Sequence, residues 1–302
     1  FCLNFPLPMV KYGENVLIEG VEFSNPDKVF FPEMEFTKKE VAVYYQKVAD
    51  RMLPLVNDRL VSVVRCPDGR KGKSFFEKHC RNFPDAMKLV SVVERTTGQK
   101  SSHACITGLA SIIAGVQMGV LEFHIWGSRY SDLEHPDRIV MDIDPGQDVT
   151  FDEVKTAALD IKDRLLSHGL RSVPLLTGGK GVHVVAPVIP KADWNKVHDF
   201  TKAIAKQMED DDPDRYISQS GKAKRKGRIF IDYLRNGRGT TAVAPYSTRN
   251  QKGAPVAAPV TWEELDSADR SNLYNVTNMV DRVKEKDPWR ETHEWKQYLS
   301  PD

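Results

Sequence analysis

Arg138-Ile-Val-Met-Asp-Ile-Asp-Pro-Gly146 ends an apolar, β-branched run with two acids two residues apart, Asp142 and Asp144. The run reads as a strand, and on a strand residues i and i+2 share one face. Two carboxylates so placed repel each other and resist burial unless cations sit between them, so the stretch reads as a metal-binding strand edge. The plain alternative is a turn or cap, which the following Pro145-Gly146 favours. Two later segments weigh against it. Thr177-Gly-Gly-Lys-Gly-Val-His183 joins a glycine-rich turn to a cation and an imidazole and runs into Val184-Val185-Ala186, and Arg228-Ile-Phe-Ile-Asp232-Tyr-Leu supplies a third strand-borne acid. An acid pair, a phosphate-type loop and a late acid together suggest nucleotidyl transfer with two metal ions.

Outward from this centre, helices and strands interleave. Thr37-Lys-Lys-Glu40 is a capping box, after which Val41, Tyr44, Tyr45, Val48 and Met52 recur at helical spacing until Pro54. Leu60 to Arg65 predicts a strand ending at Pro67-Asp-Gly69, and a basic loop then leads to Phe75-Phe-Glu-Lys-His79. Ile106 to Gly119 predicts a helix. In Val120-Leu-Glu-Phe-His-Ile-Trp126, Glu122, His124 and Trp126 alternate with apolar residues, the period of a strand with one polar face. Thr150-Phe-Asp-Glu153 opens a helix that Gly169 can end, another helix spans about Asp193 to Met208, and Thr261-Trp-Glu-Glu264 opens a tail expected to be largely helical. No internal repeat is present, and the interleaving predicts an α/β (α+β) globule with long functional loops.

With 302 residues the chain can bury a sizeable core, and its formal charge of +1 gives no global field favouring polyanions. Local charge is more informative: Gly221-Lys-Ala-Lys-Arg-Lys-Gly-Arg228 concentrates five cations. No apolar stretch approaches the roughly 18 residues of a membrane span, and Phe1 to Val10 lacks the features of a signal peptide, so the expected location is the cytosol. Cys2, Cys66, Cys80 and Cys105 form no disulfide framework and read as free thiols; Cys66, His79, Cys80, His103 and Cys105 match no standard zinc spacing.

Asp142, Asp144 and Asp232 are suitable oxygen ligands for Mg²⁺ or Mn²⁺. The Thr177–His183 loop can present backbone N–H groups to phosphate, with Lys180 and His183 as further donors. It is not a Walker A loop, because Gly181 stands where Ser or Thr should follow the lysine.

With these motifs in hand, the chain resembles the polymerase domain of bacterial ATP-dependent DNA ligase D, in the archaeo-eukaryotic primase superfamily. The likeness runs from about Asn25 to Trp295. It rests on Asn25-Pro-Asp-Lys-Val29, Phe75-Phe-Glu-Lys-His79, Leu121-Glu-Phe-His-Ile-Trp126, Asp142-Ile-Asp-Pro-Gly146, Gly178-Gly-Lys-Gly-Val-His183 and Asp232-Tyr-Leu-Arg-Asn236, in that order. The resemblance implies a primase-like fold, with central mixed or antiparallel sheets flanked by helices and long nucleic-acid-binding loops, over residues 25–302 behind an N-terminal extension of 1–24. It implies that Asp142, Asp144 and Asp232 hold two Mn²⁺ or Mg²⁺ ions, that Thr177, Lys180, His183 and Arg249 hold the triphosphate of an NTP or dNTP, and that His124 lies beside the incoming nucleotide. Lys28 and Lys38 resemble the pair that grips a 5′-phosphate at a gap or break. Phe75 and Phe76 resemble aromatics that stack on template bases, and Lys222 and Arg225 resemble a loop contacting template and primer.

The implied activity is end-joining synthesis, adding preferentially ribonucleotides to a primer 3′-hydroxyl, templated or untemplated, on gapped or overhanging DNA bearing a 5′-phosphate. Ku and a ligase domain are the implied partners, and the bacterial nucleoid the implied place. Thr177 departs from the serine usual in the motif. No Lys-x-Asp-Gly ligase motif is present, so an excised domain or a stand-alone polymerase is expected. The rival readings are a primase that starts strands de novo, a metal-dependent nuclease and a non-catalytic DNA-end-binding module.

Overall fold

The computed structural model describes residues 15–95, 97–221 and 225–300. Two small hairpins open it, β1 (Val16–Ile18) with β2 (Val21–Phe23) and β3 (Val29–Phe31) with β4 (Phe36–Thr37). Helix α1 (Lys38–Val56) follows its capping box, in which the Thr37 hydroxyl accepts from the Glu40 N–H. The helix passes Pro54 and stops two residues later. Proline in the last turn forfeits a single intrahelical bond, so it marks the end without cutting the helix at its own position.

The first sheet contains β5 (Arg59–Arg65), β6 (Phe75–Glu77), β7 (Lys88–Val93), β8 (Lys100–Ile106) and β9 (Val120–Trp126), with α2 (Leu109–Gln117) between the last two. The second contains β10 (Arg138–Pro145), β11 (Val173–Leu176), β12 (Val182–Pro187), β13 (Tyr216–Ile217) and β14 (Ile229–Asp232), with α3 (Phe151–Ser167) and α4 (Trp194–Asp211) as connections. The chain then returns to the first sheet through β15 (Thr241–Val243) and to the second through β16 (Ala258–Pro259). The resulting orders are β15-β9-β5-β8-β7, with β6 also on β5, and β13-β14-β10-β12-β11-β16. All pairings between the named strands are antiparallel except β13 with β14, so the first large sheet is antiparallel, the second is mixed, and helices flank them.

One apolar cluster joins both sheets, running from Val41, Tyr45 and Met52 of α1 through Phe123 and Met141 to Ile161 of α3 and Ile204 of α4. Where β5 meets the start of β10, the fully buried Arg59 donates to Asp137 at 2.6 Å and to the carbonyls of Leu55 and Trp126, so a charge is carried into the core with its partners supplied. The expected helical tail is only partly helical. After α5 (Trp262–Ser267) and α6 (Asn278–Arg282), most of the remainder is turns held by side chains such as Arg282, which forks onto Glu264.

Candidate nucleotidyl-transfer site

Strand β10 places both acids of the opening motif within regular sheet, not in a turn. Ile139, Met141 and Ile143 face the core, which turns Asp142 and Asp144 to the other face. Asp142 lies opposite Asp232 on β14 and opposite His183 on β12, so three neighbouring strands bring an imidazole and two carboxylates into line. His183 Nε2 is 3.5 Å from Asp142 Oδ1, and burial takes the imidazole down to about 4, leaving it neutral at pH 7 despite that carboxylate.

The acid cluster is electrostatically unsatisfied. Burial pushes Asp232 up to about 6, although Arg235 opposes the shift, and Asp144 is raised by burial and by the charge of Asp142. Two guanidiniums stand against these oxygens. Arg235 Nε lies 3.1 Å from Asp142 and 3.2 Å from Asp232, and Arg225 Nη1 lies 2.5 Å from Asp144. Such a donor set, all oxygen, crowded and already drawing cations, fits hard divalent ions. Arg225 is thus turned inward onto Asp144 and over the Phe230 ring. Lys222 lies outside the described residues.

The glycine-rich loop joins β11 to β12 beside these acids. Two glycines have steric reasons to be there. A Cβ at Gly181 would fall 2.1 Å from the Ile143 carbonyl oxygen, and Gly178 has φ +71° and lies against the Val256 carbonyl. The Thr177 hydroxyl is used inside the loop, accepting from the Gly179 N–H at 3.3 Å and donating to the Gly181 carbonyl at 2.8 Å. Lys180 is exposed at the rim, and Arg249 donates to the Thr177 carbonyl.

Across a cleft of about 630 Å³, lined among others by Asp142, Asp144, Lys180, His183, Arg249 and Phe76, stands His124 of β9. Its Nε2 is 2.8 Å from Glu122 Oε2. Burial works against ionisation of Glu122, but the His124 hydrogen bond, the nearby Arg249 charge and the Asn250 N–H outweigh it and hold the carboxyl at about 2. Glu122 thus fixes both His124 and Arg249. Sequence reading missed it as a site residue, although its place on the polar face of β9 was the available signal. Arg235 was also missed, although Asp232-Tyr-Leu-Arg-Asn236 was in view and its i+3 spacing brings it back over Asp232.

Of the other predicted residues, Phe76 borders this cleft and the two lysines sit apart from it. Phe75 and Phe76, 41% and 61% exposed, lie on β6, with Phe76 edge-on to His124 at 5.9 Å between centroids. Lys28 and Lys38 line a separate pocket of about 200 Å³ with Ser24, Asn25, Arg65 and Gln117. Lys38 Nζ donates to Gln117 Oε1 at 2.6 Å and to the Ser24 carbonyl at 2.8 Å, over the Phe23 ring, and burial lowers it to about 8. Two of its three donors thus go to uncharged oxygens. Lys28 is paired with Asp68 at 2.7 Å.

Residues 37–289 match the family model described as the LigD primase-polymerase domain. The chain is similar to the multifunctional non-homologous end joining protein LigD of Pseudomonas aeruginosa, at 36% identity over 93% of this chain and 34% of that protein. It is also similar to the bifunctional LigD of Bacillus subtilis, at 30% identity over 88% of this chain and 43% of that protein. The chain therefore spans less than half the length of either relative. Among solved structures, the polymerase domain from Mycobacterium tuberculosis ligase D in complex with DNA superposes with a TM-score of 0.82 at 28% identity, covering 91% of this chain and 98% of that one.

Proposed function

Because the chain belongs to the LigD primase-polymerase domain family, we propose that it is a DNA-directed nucleotidyltransferase of end joining, which adds nucleotides, preferentially ribonucleotides, to a primer 3′-hydroxyl at gaps and broken ends. The observation that carries this reading is the convergence of Asp142, Asp144, His183, the Thr177–His183 loop and Arg249 on one cleft, with Asp232 in register beside Asp142. In the reaction the primer 3′-oxygen attacks the α-phosphorus, the bond to the β-phosphate breaks, pyrophosphate leaves and the hydroxyl proton passes to water.

Asp142, Asp144 and Asp232 would hold two Mn²⁺ or Mg²⁺ ions. When bound, these ions supply charge neutralisation at the attacking and leaving oxygens. The chain's own residues position the reactants. Lys180 and the backbone N–H groups of the glycine-rich loop receive the triphosphate, Arg249 is aimed at it by Glu122, and neutral His183 packs against Asp142 without adding a competing cation. Arg225 and Arg235 must yield their carboxylates before the ions bind. His124, held through Nε2 by Glu122, lines the cleft in which the nucleotide would lie. Phe75 and Phe76 offer sequence-tolerant stacking for template bases.

Lys38 and Lys28 would read a 5′-phosphate at the far side of a gap, the feature that favours break repair over de novo priming. The relative solved with DNA supports a nucleic-acid partner. Ku and a ligase domain are partners by family likeness.

The test is extension of a primer-template carrying a short 5′-phosphorylated gap, with Mn²⁺ and either ribo- or deoxyribonucleoside triphosphates. Extension favouring ribonucleotides and lost in Asp142→Ala supports the reading. Binding of gapped DNA without nucleotide addition would replace it with an end-binding module.

A further inference from the structure

A second cluster of metal-ligating side chains lies on the first sheet, away from the aspartates. His79 follows β6, Glu94 follows β7 and His103 lies within β8, so three separate strands deliver two imidazoles and a carboxylate to one point. Their ligand atoms all lie within 4.8 Å of one another. Glu94 Oε1 is 2.9 Å from His103 Nε2 and 3.9 Å from His79 Nδ1. Tetrahedral zinc, with bonds of about 2.0–2.2 Å, sets its ligands roughly 3.4 Å apart. The two distances to Glu94 straddle that spacing, all pairs lie within 4.8 Å, and His79, the most exposed of the three, is the one that would move to close the set.

From this geometry we infer that His79, Glu94 and His103 form a site for one zinc-like divalent cation, with a fourth position open to water on the exposed His79 side. The surrounding groups suit that role. Lys78 Nζ lies 3.3 Å from Glu94 Oε2, which holds one carboxylate oxygen and leaves Oε1 to the cluster. The Ser101 hydroxyl donates to that Oε1 at 2.7 Å and lies 3.0 Å from His103 Nε2, fixing both atoms in position. The His103 side chain is fully buried and edge-on to Trp126, and its Nε2 meets both the Ser101 hydroxyl and Glu94 Oε1, which sets that nitrogen toward the cluster.

Two imidazoles with one carboxylate prefer zinc-type ions, whereas the all-oxygen aspartate set prefers Mg²⁺ or Mn²⁺, so the two sites need not compete for one metal. A bound ion would also do mechanical work. Strand β6 is three residues long and, among the described residues, pairs with β5 alone, yet it carries the exposed Phe75 and Phe76. An ion on His79 would tie the end of that strand to the β7–β8 hairpin and stiffen the aromatic platform. Cys66, Cys80 and Cys105 are buried free thiols, as the sequence reading had them, and the carboxylate of Glu94 is the third member of the cluster.

The test uses the full chain, stripped with chelator, loaded with Zn²⁺ in the presence of excess Mg²⁺, passed through gel filtration and assayed for retained zinc, with the melting temperature read in parallel. Wild type and Asp142→Ala should each retain one equivalent and melt higher with zinc. His79→Ala and Glu94→Gln should retain none and show no zinc-dependent shift. His103 is buried and its replacement can fail to fold, so the exposed His79 is the primary variant, with unchanged circular dichroism as its control. Equal retention by wild type and His79→Ala, or retention lost on Asp142→Ala alone, overturns the assignment and leaves these residues as a hydrogen-bonded strut. No retention by wild type overturns it as well.

Discussion

The acid cluster on β10 and β14 and the basic pocket beside α1 hold unbalanced charge of opposite sign. In the first, burial raises Asp232 to about 6 against the pull of Arg235. In the second, burial lowers Lys38 to about 8, and its partners are a carbonyl and an amide oxygen, both uncharged. A folded chain that needed only stability would neutralise such groups or replace them with apolar ones. On the proposed reading each region is left incomplete for its ligand, cations in one and a phosphate in the other. Chemistry and break recognition then reside in different places and should be separable by mutation.

The largest effect expected is on the acid side. Asp142→Ala or Asp232→Ala should lower single-turnover extension by on the order of 10³-fold or more, because the charge-stabilising centre is lost, while gapped-DNA affinity changes little. A parallel collapse of affinity, read by fluorescence anisotropy, would mean that the two regions act as one. Next, Lys38→Ala should reduce the preference for 5′-phosphorylated over 5′-hydroxyl gaps by roughly 10–100-fold, the value of a charged hydrogen bond at about 1.5–3 kcal/mol. Lys28→Ala should act in the same direction, and extension at saturating DNA should be nearly unchanged in both.

A smaller effect should follow pH, with opposite signs in the two regions. Lys38 is a cation with a lowered pKa, so its charge is present below about pH 8 and lost above it, and the 5′-phosphate preference should decline as pH rises through 8. Asp232 is an acid with a raised pKa, so it gains a proton as pH falls through about 6, and extension should drop there. Phosphate preference that is flat from pH 7 to 9.5 in competition binding would remove Lys38 from the phosphate contact. The smallest change expected is Gln117→Leu, which frees Lys38 Nζ from a neutral acceptor and should shift the preference only severalfold, about 1 kcal/mol.

Legibility in the sequence followed the range of the interactions. Capping boxes at Thr37, Thr150 and Thr261 are local devices, and all three helices start where those residues predicted. The strand carrying Asp142 and Asp144 was legible because apolar alternation and acid spacing coincide within nine residues. The tail was misread because its irregular stretches are held by distant partners, such as Arg51 with Asp287, and no local period records those. Within the site, residues that project into the cleft carried a chemical signature. Those that hold them did not: Glu122 acts on Arg249, and Gln117 on Lys38, across contacts that exist only after folding. The inward turn of Arg225 onto Asp144 was hidden for the same reason, since a basic loop gives no sign of which carboxylate it will meet.

The most direct test of separable charge centres is a matched set of single-turnover extensions and binding isotherms on a one-nucleotide gap, with and without the 5′-phosphate, for wild type, Asp142→Ala and Lys38→Ala in Mn²⁺ and ribonucleoside triphosphate. The account predicts that Asp142→Ala keeps the phosphate preference in binding and loses extension, whereas Lys38→Ala extends at saturation and loses the preference. Loss of both properties in either variant would contradict it.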